Sequence, residues 1–310
     1  MKWIFCLFLL FILNGCEKSI SFSGEETKSL ITLNTLAIAG EPIKVYVYKS
    51  LFFLDPDSWM TPEKQTLSTA SVQMTINNSL PVKMAYDNID NCFVSDYCPM
   101  EGDQLQLKAS FEGCDPVEAN TTILNSPDFE IVRHNSFYSK IDHYDIPNDD
   151  PDWSGTDTIM SITARLRDPA GEENYYRLNV RSLGALSDSI YYVNDLFTSY
   201  DIVFKDKNLS VSYNGWAAYF SNVFDDSIFD GTTYDFTIET RQRTSTYFRP
   251  YVVVNLQQIS EDYYKYLKTL ELYNCSANDI YAEPIRIHSN IKNGTGIFGS
   301  LTGTRYTLFF

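Results

Sequence analysis

Apolar and polar residues alternate along much of this chain with a period of two, the spacing at which successive side chains of a strand point to opposite faces. Leu105, Leu107 and Ala109 alternate with Gln104, Gln106 and Lys108, which predicts a strand over 104–110 with one face in a core and one in water. Short runs rich in β-branched and aromatic residues predict further strands over 29–34, 43–49, 72–76, 82–86, 92–95 and 117–123. Turn-forming stretches such as Ala39-Gly40-Glu41-Pro42 separate them at intervals typical of a sandwich. Asn125-Ser126-Pro127-Asp128 interrupts the pattern and marks the expected boundary between two domains. The first, over 29–125, reads as an immunoglobulin-like or transthyretin-like β-sandwich.

The second, over 129–310, reads as a larger β-rich domain. Its expected strands cover 129–142, 159–168, 175–183, 202–204, 216–220, 234–241 and 252–258. One stretch changes period. Tyr263, Tyr266, Leu267, Leu270 and Tyr273 recur at helical spacing behind Ser260, an N-cap, and the first-turn acids Glu261 and Asp262. The fold class is therefore mostly β with one helix. Tyr306-Thr307-Leu308-Phe309-Phe310 reads as a terminal strand that closes the second domain.

The amino end follows a different logic. A single Lys2 precedes an unbroken apolar run from Trp3 to Leu13, about half the roughly 20 residues a membrane-spanning helix needs. A charged start, a short apolar core and a small residue before a cut make a secretory leader, here residues 1–15. With Gly15-Cys16 at the cut, the pattern resembles a bacterial lipoprotein signal in which Cys16 carries the lipid. Residues 16–28 are polar and read as a tether that holds the first domain off the membrane.

Charge narrows the partners. Forty acidic residues against 24 basic ones give a formal charge of −16, and no basic stripe is present for a phosphate backbone, so nucleic acid is excluded as a partner. Anionic lipid would repel such a surface, which leaves the acyl chains on Cys16 to hold the membrane. After processing, four thiols remain. An exported chain meets oxidising conditions, so disulfides are permitted; three connectivities are possible, any bridge is expected to fall among Cys92, Cys98 and Cys114, and Cys275 reads as a free or buried thiol.

Candidate chemistry is sparse. Gly294-Thr295-Gly296-Ile297-Phe298-Gly299 matches a dinucleotide fingerprint in its letters, but the chain ends too soon for the helix and acid that the site requires, so the glycines read as permitting close backbone turns. Asp150, Asp152, Ser154 and Asp157 offer oxygens in the opening pattern of a calcium loop, without a glutamate at the twelfth position, where Ser161 stands. His134 and His143 lie near Asp142 and Asp145, a pairing suited to acid–base work, yet no nucleophile elbow, zinc motif or phosphate loop accompanies them. No cofactor is expected. Trp59 and Trp153, flanked by Asp and Pro, are the candidate ligand-stacking aromatics, whereas Trp216 sits in an apolar run and reads as core.

Several segments carry a family resemblance. Gly40-Glu41-Pro42-Ile43-Lys44-Val45-Tyr46-Val47, Phe93-Val94-Ser95-Asp96-Tyr97 and Glu101-Gly102-Asp103 resemble the first half of a Bacteroidota lipoprotein family catalogued as domain of unknown function 4249. Asp168-Pro169-Ala170-Gly171-Glu172-Glu173-Asn174-Tyr175-Tyr176-Arg177-Leu178, the run from Ile259 to Leu267, and Ser289 through Gly299 resemble its second half. The resemblance implies a lipid-anchored, β-rich envelope protein encoded near TonB-dependent outer-membrane transporters, and it assigns no catalytic residue. The expected function is thus a non-catalytic accessory or ligand-capturing component at such a transporter. An envelope hydrolase acting on glycan or peptide, and a structural or adhesive surface lipoprotein, are the alternatives. Replacing Cys16 with Ser should release the protein from the membrane fraction or leave an unprocessed precursor. Fractionation with intact-mass analysis checks this, and unchanged membrane association at unchanged mature mass would defeat the lipoprotein reading.

Overall fold

The computed structural model describes residues 28–50, 65–140, 156–186, 189–194, 197–205, 211–213, 216–218, 221–243, 249–276 and 283–309. In the first half the alternating segments form β1 (Ile31–Ile38), β2 (Lys44–Lys49), β3 (Ser71–Ile76), β4 (Val82–Lys83), β5 (Ala85–Asp87), β6 (Cys92–Val94), β7 (Gln104–Ser110) and β8 (Val117–Thr122). The second half gives β9 (Asp128–Lys140), β10 (Thr156–Arg167), β11 (Tyr175–Leu186), β12 (Ser189–Asn194), β13 (Val211–Tyr213), β14 (Trp216–Ala218) and β15 (Val223–Asp225). It continues with β16 (Thr233–Arg243), β17 (Arg249–Ile259), helix α1 (Glu261–Ser276) and β18 (Thr295–Phe309). Among the described residues the fold is mostly β with α1 as its one long helix, the architecture expected.

A single nine-stranded sheet runs through both halves in the order β12-β11-β17-β18-β1-β2-β6-β5, with β15 paired to β11. Two smaller sheets cover parts of one face. The sheet β4-β3-β7-β8 packs over the β1, β2 and β6 end, and β16-β10-β9 packs over β11, β17 and β18. Strand alternation produces this layering directly: Ile31, Leu33, Val45, Val47, Val72, Met74, Leu105 and Leu107 point into the first core and are buried. Met160, Ile162, Leu178, Val180, Ile238, Val254 and Leu256 do the same in the second. A cluster of rings, Phe204, Phe224, Phe229, Phe236 and Tyr176, fills that second core with edge-on and tilted contacts.

Two expected strands differ. Residues 202–204 form a 3₁₀ turn, because the Asp201 carboxylate accepts the Val203 N–H at 3.2 Å and turns the chain so that Phe204 points into the core. The run 82–86 splits at Met84, whose N–H donates to Val72 O, so that β4 and β5 belong to different sheets. Cys92, Cys98 and Cys114, the candidates for any bridge, are free thiols. Cys92 faces the interior of its strand while Cys98 stands in solvent, an arrangement that separates the two nearest candidates.

β18 ties the layers together. Its first half pairs parallel to β1, from Thr32↔Thr295 to Ile38↔Leu301, and its second half pairs antiparallel to β17, from Ile259↔Leu301 to Tyr251↔Phe309. Gly296 lies at φ +104 where a Cβ would fall 2.0 Å from Leu33 O, so close approach to β1 demands glycine. The glycine run was expected to form turns; it lies instead inside a central strand, where Gly296 serves close strand packing. From the same strand, Ser300, Thr302, Thr304 and Tyr306 donate their hydroxyls to the carbonyls of Thr122, Leu124, Pro127 and Phe129, at 2.6–3.0 Å. The chain passing from β8 to β9 is therefore held, rung by rung, against β18. Removing these donors as Ser300→Ala, Thr302→Val and Thr304→Val should cost about 1 kcal/mol each. Urea denaturation measures this, and a triple variant as stable as wild type would contradict it.

Candidate functional site: a polar face on the central sheet

The second core uses the even-numbered side chains of β11, β17 and β18, which leaves the odd-numbered ones on the opposite face. Register assembles them into rows. Arg177 lies opposite Gln257, which lies opposite Gly303; Asn179 aligns with Asn255 and Arg305; Arg181 aligns with Val253 and Thr307. The next row ends in Tyr251 and Phe309, whose rings sit 6.1 Å apart, Phe309 being 70% exposed. At the other end α1 seats Tyr263 directly over Gly299, where a Cβ would fall 2.7 Å from that of Tyr263. The Tyr263 hydroxyl accepts from Arg177 Nη1 at 3.2 Å.

The face is polar and partly unsatisfied. Asn179 Nδ2 donates to Gln257 Oε1 at 2.9 Å. Arg177 Nε and Asn255 Oδ1 are buried atoms with no hydrogen-bond partner, and each such group costs about 1–3 kcal/mol unless something pairs with it. Glycine at 303 gives Asn255 Oδ1 its place, since a Cβ there would fall 2.7 Å from that oxygen. Arg181, Arg305 and Thr307 are exposed beside these groups. No Asp or Glu occurs at the odd-numbered positions of β11, β17 or β18. The arrangement can donate and accept hydrogen bonds, pair with negative charge and present an aromatic wall.

A cleft of about 330 Å³ opens beside it at the junction of the two halves, lined in part by Glu172, Glu173, Glu261 and Asp262. Its carboxylates are largely engaged. Glu261 pairs with Lys265, Glu173 accepts the Tyr175 hydroxyl, and Asp262 accepts from Asn290 and pairs with His288 at 2.8 Å. The His288–Asp262 pair clips the segment before β18 to the first turn of α1, helped by His288 N–H donating to Thr269 Oγ1. Ser260 joins the same clip: its Oγ accepts the Ser300 N–H of β18.

The acidic motif residues act as turn clamps. Asp168, Asp226 and Asp230 bring carboxylate oxygens within 4.8 Å of one another. Asp168 accepts from the Tyr176 hydroxyl at 2.6 Å and Gly231 N–H at 3.0 Å, Asp226 accepts from Asn174 N–H, and Asp230 from Gly171 N–H. A hard cation takes six to eight oxygens, and these three carboxylates already bind two facing turns together. Burial raises the Asp226 carboxyl above the usual range, and its two acidic neighbours add to this. Asp103 is the opposite case. The Tyr97 hydroxyl at 2.6 Å, then Met100 N–H and the Asn77 amide, hold it below the usual range.

Of the residues singled out in the sequence, Cys16, Trp59, Asp150, Asp152, Trp153 and Ser154 lie outside the described residues, as do Asp142, His143 and Asp145. Asp157 is placed in β10, opposite Arg243 and Ser139 in register. Trp216 lies in β14. His134 is exposed on β9. The three arginines were not anticipated as a set. Arg177-x-Asn179-x-Arg181 against Tyr176-x-Leu178-x-Val180 is a legible two-faced strand, but nothing in the local pattern reports that Arg305 lies two strands away.

The fold and this face define a mostly β, double-sandwich protein with a polar, partly exposed sheet face and a single α-helix among the described residues. The chain belongs to the family described as domain of unknown function (DUF4249), whose model matches residues 17–307. No curated protein matches the chain. Among solved structures it is similar to a protein from Corynebacterium diphtheriae described provisionally as membrane anchored, at 10% identity and a TM-score of 0.20, covering 74% of this chain and 55% of that one. No helix among the described residues is long and apolar enough to cross a membrane.

The two perturbed carboxyls predict opposite pH signatures. Asp103, depressed in the folded state, contributes stability above its unfolded pKa that is lost as pH falls through its folded one, so Asp103→Asn should lose stability at neutral pH with the deficit vanishing in acid. Asp226, raised in the folded state, penalises folding as pH rises through its folded pKa. Asp226→Asn should therefore gain stability at neutral pH, with the gain vanishing in acid. Thermal melts from pH 3 to 8 decide the matter, and shifts of the same sign in both variants would contradict the assignments.

Proposed function

We propose that this protein is a non-catalytic, ligand-capturing lipoprotein of the outer membrane, anchored through acylated Cys16 and working beside a TonB-dependent transporter. The observation that carries the reading is the odd-numbered face of β11, β17 and β18, where Arg181, Arg305, Thr307 and Phe309 are exposed beside the half-buried amides of Asn179, Asn255 and Gln257. Exposed arginine, hydroxyl and aromatic side chains mounted on paired strands suit the holding of a polar ligand. Capture is favoured over hydrolysis because Glu173, Glu261 and Asp262 of the junction cleft and the carboxylates of the Asp168 clamp are spent on backbone and side-chain partners. The lipoprotein-like leader supplies the anchor, and the family resemblance supplies the transporter as neighbour.

Native purification of the tagged protein from membranes, with mild cross-linking, should recover a TonB-dependent transporter. Arg305→Gln should leave that recovery intact, since the captured ligand and the transporter use different surfaces. Recovery of the lipoprotein alone under cross-linking would remove the transporter from the proposal.

A further inference from the structure

We propose that the open edge of β9 is a self-pairing surface, where the strand joins the β9 of a second copy of this chain, antiparallel, about a two-fold axis at Asn135. This goes beyond the capture reading and uses a different part of the molecule. The sheet β16-β10-β9 has two edges. At the β16 edge Glu239 exchanges both main-chain hydrogen bonds with Thr198 at 2.8 Å. At the β9 edge the Phe129 carbonyl accepts the Tyr306 hydroxyl, and beyond that point no described residue pairs with the outer side of the strand. Val132 through Tyr138 are all exposed, Tyr138 to 77%, with no proline among them.

The direction of the ladder bonds identifies the free groups. Asp168 N–H donates to Thr232 O, just past the pairing of β10 with β16, so the even positions of β10 face β16 and its odd positions face β9. Arg133, Asn135 and Phe137, opposite Thr163, Ser161 and Ile159, therefore bond to β10. The main-chain N–H and C=O groups of His134, Ser136 and Tyr138 point outward. The outward Phe129 carbonyl, opposite Leu166, and the outward groups of Glu239, opposite Ser161, obey the same alternation.

Side chains select the occupant of such an edge. A two-fold axis at Arg133 would set guanidinium against guanidinium, and one at His134 imidazole against imidazole. An axis at Asn135 sets Arg133 opposite Phe137 of the second copy and His134 opposite its Ser136. These are a cation beside an aromatic ring and a ring nitrogen beside a hydroxyl, with the two Asn135 amides face to face. His134 and Ser136 then exchange their outward bonds with their counterparts. No acid occurs from Ile131 to Tyr138, so the −16 charges of the two copies do not meet at the seam. One strand pair buries less than the roughly 1,200 Å² of a stable interface, so the dimer is reversible.

Cysteine cross-linking in whole cells tests this on the full chain. The background is Cys98→Ser, Cys114→Ser and Cys275→Ser, which removes the other accessible thiols. Asn135→Cys should give a disulfide-linked dimer on mild oxidation, because facing residues that do not bond to each other lie about 4.5 Å apart at Cα, within disulfide reach. Arg133→Cys, which faces Phe137 rather than itself, should give none. Adding Ser136→Pro removes an outward N–H that β10 does not use, and should cut the Asn135→Cys product about tenfold. Thermal melting checks that this variant folds, and the comparison of Asn135→Cys with Arg133→Cys stands without it. No dimer from Asn135→Cys, an equal yield from Arg133→Cys, or a yield unmoved by Ser136→Pro in a folded chain overturns the proposal. A cross-linked product whose mass fits a different protein overturns self-pairing.

Discussion

A single strand belonging to two sandwiches is the constraint on which this structure depends. β18 lies between β17 and β1, and it carries Phe298 into the first core and Leu308 into the second. Neither core is complete without the carboxyl-terminal segment, because Ile291 and Phe298 are buried among side chains of β1, β2 and β7. The hydroxyl ladder from Ser300 to Tyr306 adds a directional element to that apolar burial. Each hydroxyl satisfies a carbonyl of the 122–129 crossing, a stretch with few backbone partners of its own. Without those donors the crossing would lose four hydrogen bonds to β18, at about 1 kcal/mol each.

That constraint also places the candidate site. Because the even side chains of β18 are committed to the core and the ladder, its odd side chains must point outward, and α1 covers only the part of that face near Gly299 and Leu301. Farther along the face Arg181, Arg305, Thr307 and Phe309 are exposed, while Val253 between them is buried. The rows of arginines and amides are consequently mounted on three paired strands rather than on loops, which fixes their spacing. The polar clips around His288, Asp262, Asn290 and Ser260 hold α1 and the segment ahead of β18 in place, so the helix forms a fixed wall at one end of the face.

Much of this was legible in the sequence, and the rest was not, for physical reasons. Period-two alternation located β7, β10 and β11 because each has one face in a core, and the helical spacing of Tyr263, Tyr266 and Leu267 located α1. Residues 202–204 were misread as a strand since Ile-Val-Phe is locally strand-like while the decisive hydrogen bond comes from Asp201. The Ser260 side chain was expected at the helix cap, yet its hydroxyl accepts from Ser300, forty positions away. The pairing of β18 with β1, and hence the alignment of Arg305 with Asn179, depends on contacts across most of the chain. No local pattern encodes it. The motifs that carry the family resemblance prove to be largely structural: Asp168, Asn174 and Tyr176 clamp turns, and Tyr97 with Asp103 closes another.

If β18 makes the two sandwiches one cooperative unit, their exposure to solvent must be coupled. Amide hydrogen exchange under increasing denaturant, resolved by peptide mass, compares β2 in the first sandwich with β11 in the second, neither of which is β18 itself. The account predicts that the slowest amides of both strands converge on one opening free energy and one denaturant dependence. Separate opening free energies, with β11 exchanging through a transition that leaves β2 protected, would contradict it.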